Sequence, residues 1–177
     1  MSSVHRFVTS AASSRLLSDI HELMVSAFTE GFSVEDWEHT LGGQSIVVMD
    51  GDTLLAHASI VPRTLHVNEQ PFNVGYLEGV ATQRALEGKG HGSTAVSDAM
   101  SVVRERFEMG ALSTSRHTFY ERLGWERWCG PTSVRQGSDL IRTEDEDSGI
   151  LVLRFGVSHA VELSAPLSCD ARSGDDW

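Results

Sequence analysis

Two spacings of apolar residues organise the first third of the chain. Between Leu16 and Ala27 the apolar positions recur every three or four residues, which predicts an amphipathic helix over residues 13–28. A shorter helix is expected next, because Ser33 can cap its start and the glycine pair 42–43 can end it. Beyond these glycines, short apolar runs and alternations favour strands.

The rest of the chain is predicted to form strands joined by turns and two further helices. The Asp50-Gly51 pair favours a tight turn, and Pro62 is expected to end the strand before it. A glycine-rich stretch at 88–92 is expected to open a long helix that Gly110 ends. The predicted strands are 4–9, 45–49, 53–61, 73–82, 111–114, 125–129, 150–155 and one near 160–167, with a short helix at 117–123 and an acidic loop at 143–149.

This order of elements predicts the fold class. Strands dominate the first half and later strands flank two helices, so we expect a mixed α/β (α+β) layer rather than a doubly wound parallel sheet. The chain has 177 residues, 40% of them hydrophobic, which suits one domain with its own core. No linker-like stretch or internal repeat divides it, so a single domain over residues 1–177 is predicted.

The net charge narrows the classes of partner. With 25 acidic and 14 basic residues the formal charge is −11, and such a surface repels phosphate backbones and anionic lipid. We therefore expect neither a nucleic-acid nor a membrane partner. An acidic surface does suit a cationic ligand, although many acidic proteins are simply soluble.

The cysteines and the N-terminal segment favour a cytoplasmic protein. Cys129 and Cys169 are too few for a disulfide framework or a four-cysteine zinc site. The first residues lack the apolar core of a secretion signal, and no run of 18 apolar residues occurs. The histidines show no metal-ligand spacing, so no metal is expected.

The Gly88-Lys89-Gly90-His91-Gly92 stretch has the composition of a phosphate-binding turn. Glycines let the backbone approach a ligand closely, and the dipole of the following helix adds positive charge. The alternative is a turn that only joins a strand to a helix. The spacing fits neither a P-loop nor a dinucleotide-binding loop.

Residues 87–92 resemble the acetyl-CoA signature of GNAT acetyltransferases, Gln/Arg-x-x-Gly-x-Gly/Ala, with Glu87 in the first position. An acidic side chain beside a pyrophosphate is unfavourable unless it points away. The resemblance extends over nearly the whole chain, which looks like the aminoglycoside 2′-N-acetyltransferases. The segments that carry it are DWEHTLGG at 36–43, GYLEGV at 75–80, LS at 112–113, YERLGW at 120–125, GPTSV at 130–134 and CDARSGDDW at 169–177.

The resemblance implies how the fold binds acetyl-CoA. It implies a GNAT-type domain whose mostly antiparallel sheet splays at the acetyl-CoA site, with helices on both faces. The strand near Glu78 would pair with the pantetheine arm, and the Val80 N–H would lie near the thioester oxygen. The residues implied to bind acetyl-CoA are Val80, Ala81, Glu87, Gly88, Lys89, Gly90, His91 and Gly92.

The resemblance also implies two catalytic side chains. Glu78 would accept the amine proton, through a water or directly, or would hold the ammonium group in place. Tyr120 would protonate the departing sulfur, since a phenol has a pKa of about 10. Taken alone, Glu78 could be a solvent-facing or ion-paired strand residue, and Tyr120 a packed aromatic. We expect direct attack in a ternary complex, because neither cysteine suggests a covalent intermediate.

The expected acceptor is a cationic aminosugar, acetylated at a 2′-amine, and the enzyme would confer antibiotic resistance. Many family members place an aspartate before the phenylalanine of the Trp-Glu-His motif, whereas this chain has Gly31 before Phe32, with Glu30 one step earlier. This difference leads to the hypothesis of a narrower substrate, kasugamycin. The residues implied to bind the acceptor are Glu30, Gly31, Glu78, Gly79, Ser113, Asp147, Asp175 and the terminal carboxylate of Trp177.

Two other functions stay open on the sequence. The chain could be a GNAT enzyme for another amine, such as a metabolite, a polyamine or a protein N-terminus. It could also be a module that binds CoA or an antibiotic without turnover. Family members are often dimers, so a homodimer is compatible with the sequence.

Overall fold

Four α-helices and ten strands occupy residues 1–28 and 31–177, the part of the chain that the structure, a computed structural model, describes. The helices are α1 (Ser14–Ala27), α2 (Val34–Leu41), α3 (His91–Arg106) and α4 (His117–Glu121). The strands are β1 (Ser3–Val8), β2 (Gln44–Asp50), β3 (Thr53–Val67), β4 (Gln70–Thr82), β5 (Met109–Ser113), β6 (Glu126–Arg127), β7 (Thr132–Gln136), β8 (Asp139–Arg142), β9 (Ile150–Arg154) and β10 (Leu167–Asp170).

The first of two structural units comprises Met1–Val61 and Leu77–Val102. In it β1 pairs antiparallel with β2, and β2 pairs antiparallel with the first part of β3. The helix α1 begins where the Ser13 side chain caps the N–H of Leu16, and its buried face packs into an apolar cluster. That cluster contains Ile20, Leu23, Met24, Val47, Leu54 and Ala81.

The second unit comprises Pro62–Tyr76 and Val103–Trp177. Its strands β5, β9 and β6 pair antiparallel in that order, while β4 runs parallel to β5. In the same unit β10 pairs antiparallel with the end of β3 and parallel with β7, and β7 forms a hairpin with β8. A core of buried side chains fills this unit, with Tyr76, Trp128 and Trp177 among its largest members.

The mixed α/β class predicted from the order of elements is confirmed. Strand pairs of both directions occur with helices between them, and antiparallel pairs predominate among those described. Whether the whole chain acts as one domain, and whether its sheet splays as the resemblance implies, stay predictions. None of the helices in the described residues is long and apolar enough to cross a membrane.

Three details of the predicted elements are wrong. β3 continues through Pro62 to Val67, and Gly110 lies inside β5 rather than at the end of α3. A Cβ atom at Gly110 would lie 3.0–3.2 Å from side chains of the core, so close packing explains this glycine. No strand covers residues 160–166, because the Ala165 N–H bonds to the Glu162 carbonyl and turns the chain there. A 3₁₀ turn ends at Ala160, and β10 begins only at Leu167.

Candidate functional site

The glycine-rich turn lies between β4 and α3 in the first unit. A 3₁₀ turn at Arg84–Leu86 leads into it, and Gly88 and Gly90 have left-handed φ angles of 77° and 91°. A Cβ atom at either glycine would meet no described atom within 4 Å, so open space lies over both. α3 begins at His91, immediately after the turn.

The N–H groups that open α3 are available to a ligand. The first helical hydrogen bond runs from Thr94 N–H to the Gly90 carbonyl at 2.9 Å. The N–H groups of His91, Gly92 and Ser93 therefore have no acceptor within the helix, and the helix dipole adds partial positive charge there. This arrangement fits the pyrophosphate of a CoA ester.

The charged side chains around the turn are exposed. Arg84 Nε donates a hydrogen bond of 2.8 Å to the Ser26 carbonyl in the last turn of α1, whereas Lys89 projects from the turn itself. The Glu87 N–H donates to the Arg84 carbonyl at 3.3 Å. The backbone N–H of this residue, which was predicted to bind acetyl-CoA, therefore already has an acceptor inside the turn. The exposure of Glu87 lets its carboxylate point away from an anion.

Glu78 lies in β4 close to a histidine of α2. Its Oε2 is 3.9 Å from His39 Nδ1, and the two side chains are 11% and 14% exposed, respectively. A capping box between Ser33 and Asp36 fixes the start of α2 and hence the position of His39. A carboxylate so little exposed, beside an imidazole, is suited to hold an ammonium group or to accept its proton.

Gly79 puts a left-handed kink into β4 directly after Glu78. Its φ is 55°, and a Cβ atom there would lie 2.9 Å from Met24 Sδ and 3.1 Å from Thr40 Oγ1. Only glycine satisfies both the backbone angle and the space between α1 and α2. The kink interrupts the regular alternation of the strand and so sets where Glu78 and Val80 point.

A buried chain of hydrogen bonds reaches the Gly79 carbonyl. His57 Nδ1 is 2.8 Å from this oxygen, His57 Nε2 is 2.9 Å from Ser45 Oγ, and Ser45 Oγ is 2.8 Å from Thr9 Oγ1. All three side chains belong to residues with no exposed surface. Burial lowers the pKa of His57 to about 4, opposed by the hydrogen bond to Gly79, so the imidazole is neutral near pH 7.

Tyr120 lies in the second unit, in the last turn of α4. Its ring packs edge-on against Phe119 and Trp125, with centroids 4.8 and 6.1 Å away, respectively. Burial raises the pKa of the phenol well above its usual value, opposed by the charge of Arg116. Tyr120 therefore stays protonated and can donate a hydrogen bond at any physiological pH.

Ser113 and Glu146 form an acidic group in the same unit, together with Asp175. Ser113 Oγ donates to Glu146 Oε2 at 3.3 Å, and both atoms lie 3.4 Å from where a Cβ atom of Gly149 would stand. Partial burial, and next the charge of Asp175, raise the pKa of Glu146. Two carboxylates that repel each other in a partly buried place are suited to a cationic ligand.

Asp147, one of the residues predicted to bind the acceptor, makes several contacts within the protein. Its carboxylate pairs with both terminal nitrogens of Arg142 at 2.7 and 2.9 Å, and it accepts hydrogen bonds from the Thr132 N–H and hydroxyl at 2.8 and 2.9 Å. The Arg142 hydrogen bonds hold the pKa of this carboxyl far below its usual range. These contacts favour Glu146 over Asp147 as the carboxylate left for a ligand.

The C-terminal segment packs into the second unit. Trp177 is buried, and its indole N–H donates to Thr143 Oγ1 at 3.1 Å. Its backbone N–H donates to Asp175 Oδ1 at 3.0 Å, and Arg172 Nη2 is 3.4 Å from its oxygen. These bonds hold Asp175 in place near the acidic loop.

The predicted site residues thus fall into two groups. The first unit holds Glu78 to Ala81 and the turn 87–92, while the second holds Tyr120, Ser113, Asp175 and Trp177. Gly31 is exposed, and Glu30 lies outside the described residues. Among residues 1–28 and 31–177, no three His, Cys, Asp or Glu side chains are grouped as a metal ion would require.

Sequence reasoning missed His57 and did not select Glu146. The signal for His57 is its position as a lone polar ring in the apolar run of 54–60, which forms a buried strand. For Glu146 the sequence offers no discriminating signal, because it is one of four consecutive acidic residues.

Comparison with known proteins identifies the relatives of this chain. Residues 10–128 match the family model described as an acetyltransferase (GNAT) domain. An aminoglycoside 2′-N-acetyltransferase of Mycolicibacterium fortuitum is 39% identical over 160 residues, which cover 88% of this chain and 82% of the relative.

Solved structures share the fold. A GNAT family N-acetyltransferase of Escherichia coli in complex with CoA aligns with a TM-score of 0.67 at 13% identity, over 95% of this chain and 89% of that one. A GNAT family acetyltransferase of Brucella melitensis in complex with acetyl-CoA aligns with a TM-score of 0.62 at 14% identity, over 93% and 94%. The chain spans about a third of the length of some other structures that it matches.

Proposed function

Because the chain belongs to the GNAT acetyltransferase family, we propose that it transfers the acetyl group of acetyl-CoA to the 2′-amine of an aminoglycoside antibiotic. The observation that carries the substrate class is the 39% identity, over most of both chains, to a relative named for that reaction. The net charge of −11 agrees with a polycationic acceptor.

The acetyl donor would be held by the turn between β4 and α3. The open space over Gly88 and Gly90 lets a pyrophosphate approach the backbone, and the N–H groups of His91 and Gly92 would donate to it. Lys89, which is exposed beside the turn, supplies a cation. Val80 and Ala81 would pair through their backbone with the pantetheine arm.

The acceptor would be held by carboxylates. Glu146 and Asp175 supply two negative charges in the second unit. Partial burial, and next the charge of Asp175, raise the pKa of Glu146, so a bound ammonium group would stabilise its ionised form. The hydroxyl of Ser113 and the oxygen of Trp177 add polar contacts. In this proposal Asp147 shapes the loop and Glu146 contacts the drug.

Amine activation falls to Glu78. An aminoglycoside amine is bound as an ammonium group and must lose a proton before its lone pair can attack the thioester carbon. The carboxylate of Glu78 accepts that proton, directly or through a water, while the Val80 N–H stabilises the oxygen that gains charge. The new C–N bond then forms as the C–S bond breaks.

Tyr120 would assist the leaving group. Its phenol donates a hydrogen bond to the sulfur as negative charge develops there. Because burial raises the pKa of Tyr120 far above the value of about 8.5 that is usual for a thiol, complete proton transfer to the thiolate is unfavourable. The hydrogen bond therefore lowers the barrier, and solvent can supply the final proton.

A narrower substrate range follows from the segment before α2. Gly31 has no carboxylate to offer a second charged ring, so we propose kasugamycin, whose second ring is an uncharged inositol, as the preferred drug. The enzyme would act in the cytoplasm, where thiols such as Cys129 and Cys169 stay reduced, and would confer resistance there.

The test is thiol release in the presence of a panel of acceptors. Purified protein and acetyl-CoA are mixed with kasugamycin, gentamicin or tobramycin, and the acetylated position is read by NMR. Drug-dependent thiol release at the 2′-amine supports the proposal, and efficient turnover of gentamicin contradicts the preference for kasugamycin. Drug binding without thiol release, or turnover of a polyamine or peptide alone, contradicts the proposed function.

A matched pair of variants links the activity to the site. Glu78→Gln keeps the shape of the side chain and removes the proton acceptor, so kcat is expected to fall about 10²-fold or more. Glu22→Gln makes the same change at an exposed position of α1 and is expected to leave kcat unchanged.

A further inference from the structure

We propose that His57 is a positioning residue for acetyl transfer: its buried imidazole holds the Gly79 carbonyl and so sets the directions of the Glu78 side chain and the Val80 N–H. The inference rests on the proposed function, because it takes the roles of Glu78 and Val80 from there. His57 would touch neither substrate.

The last acceptor in this series, the Gly79 carbonyl, determines the direction of all three hydrogen bonds between Thr9, Ser45, His57 and Gly79. A carbonyl oxygen can only accept, so His57 Nδ1 carries the proton and donates to Gly79 across 2.8 Å. In a neutral ring Nε2 is then an acceptor, so the Ser45 hydroxyl must donate to it across 2.9 Å. The Thr9 hydroxyl in turn donates to Ser45 across 2.8 Å.

This ordered chain fixes one side of the kink while side chains occupy the other. Met24 and Thr40 fill the place where a side chain at position 79 would stand, so the backbone cannot move toward α1 and α2. The imidazole prevents the carbonyl from rotating away. The kink is therefore held from both directions, as expected for a backbone conformation that must not relax.

The consequence for catalysis comes from the neighbours of Gly79 in sequence. Glu78 and Val80 are each joined to it by a rigid planar peptide, so rotation of this carbonyl turns the Val80 N–H, which belongs to the same peptide group. Misplacement of reacting groups by 1 Å can cost about 10²-fold in rate. Loss of a buried histidine that only packs would lower stability but would not lower kcat while leaving KM unchanged.

Three substitutions separate positioning from packing. His57→Asn keeps a donor at the place of Nδ1, His57→Gln moves the amide toward the place of Nε2, and His57→Leu has the shape of asparagine without a donor. We expect kcat to fall about tenfold to a hundredfold in H57L and H57Q, with KM for both substrates little changed, and to recover in H57N.

A destabilised control removes the packing explanation. Ile46 is fully buried beside Ser45 in β2, and Ile46→Val lowers the melting temperature without removing a hydrogen bond. This variant is expected to keep the wild-type kcat. Equal losses of kcat in H57N and H57L, or a loss in I46V as large as in H57L, would overturn the proposal.

The tautomer gives a readout that does not need activity. In ¹⁵N–¹H correlation spectra of the folded wild-type protein, His57 is expected to show the proton on Nδ1 at pH 7. A proton on Nε2 contradicts the inference whatever the kinetics. If the wild-type protein shows this signal but acetylates no amine, the proposed function fails and the hydrogen-bond assignment stands.

Discussion

Acidification is expected to destabilise the folded protein through one buried histidine. The pKa of His57 is lowered to about 4 by burial, whereas in the unfolded chain it returns to the ordinary value of 6.5. Between these two pH values His57 is protonated in the unfolded chain and neutral in the folded protein. The contribution of neutral His57 to the free energy of unfolding is therefore fully present well above pH 6.5 and is lost as the pH falls from 6.5 toward 4.

The size of the effect follows from the difference between the two pKa values. His57 alone costs the folded state about 2 kcal/mol between pH 8 and pH 5, and about 3 kcal/mol once the pH reaches 4. This is a large part of the 5–15 kcal/mol that is typical for the unfolding of a domain.

The assay is urea unfolding of wild-type protein and H57N at pH 8, 7, 6 and 5. Because the other titrating groups are common to both proteins, the difference between the two curves isolates His57. The wild-type protein is expected to lose about 2 kcal/mol more than H57N between pH 8 and pH 5. Parallel pH dependences, with equal slopes against urea, would refute the buried, neutral state of this ring.

Three further predictions concern the candidate site. Gly79→Ala is expected to destabilise the protein by more than about 1 kcal/mol, because the left-handed angle and the contacts with Met24 both oppose a Cβ atom; an unchanged urea midpoint would contradict this. Tyr120→Phe is expected to lower kcat about tenfold while KM stays constant, as measured by steady-state thiol release, and a rise in KM alone would contradict it. Glu146→Gln is expected to raise KM for the drug without lowering the melting temperature. Asp147→Asn is expected to lower the melting temperature and leave KM unchanged. The opposite pattern would show that Asp147 binds the drug and that Glu146 stabilises the loop.

The helices of the first unit could be predicted because their signals are local. Ser33 caps α2 through its own side chain, and the apolar spacing of α1 matches the face that is buried. Pro62 misled the prediction because its effect depends on neighbours. β2 pairs with β3 only as far as Ile60, and β10 pairs with it from Leu65, so neither needs an N–H at position 62.

The hairpin of β7 and β8 was missed for a related reason. Val134 is its only buried large apolar residue, and Leu140 and Ile141 are exposed, so the segment has little of the alternation that identifies a strand. Its pairing with β10 is long-range and leaves no mark in the local sequence.

The acidic loop illustrates how tertiary contacts decide which residue of a run is free to act. In the sequence, Glu146 and Asp147 are equivalent carboxylates, and either could bind a cationic drug. In the folded protein Arg142 and Thr132 satisfy Asp147, which fixes the loop, while the next residue back is directed toward Ser113. The ionised form of Asp147 is already stabilised by Arg142, so a second cation would stabilise it little further. The ionised form of Glu146 is destabilised by burial and by the charge of Asp175, so a bound cation would stabilise it more. In this unit Arg142 and Asp147 would therefore contribute to the stability of the loop, and Glu146 to substrate recognition.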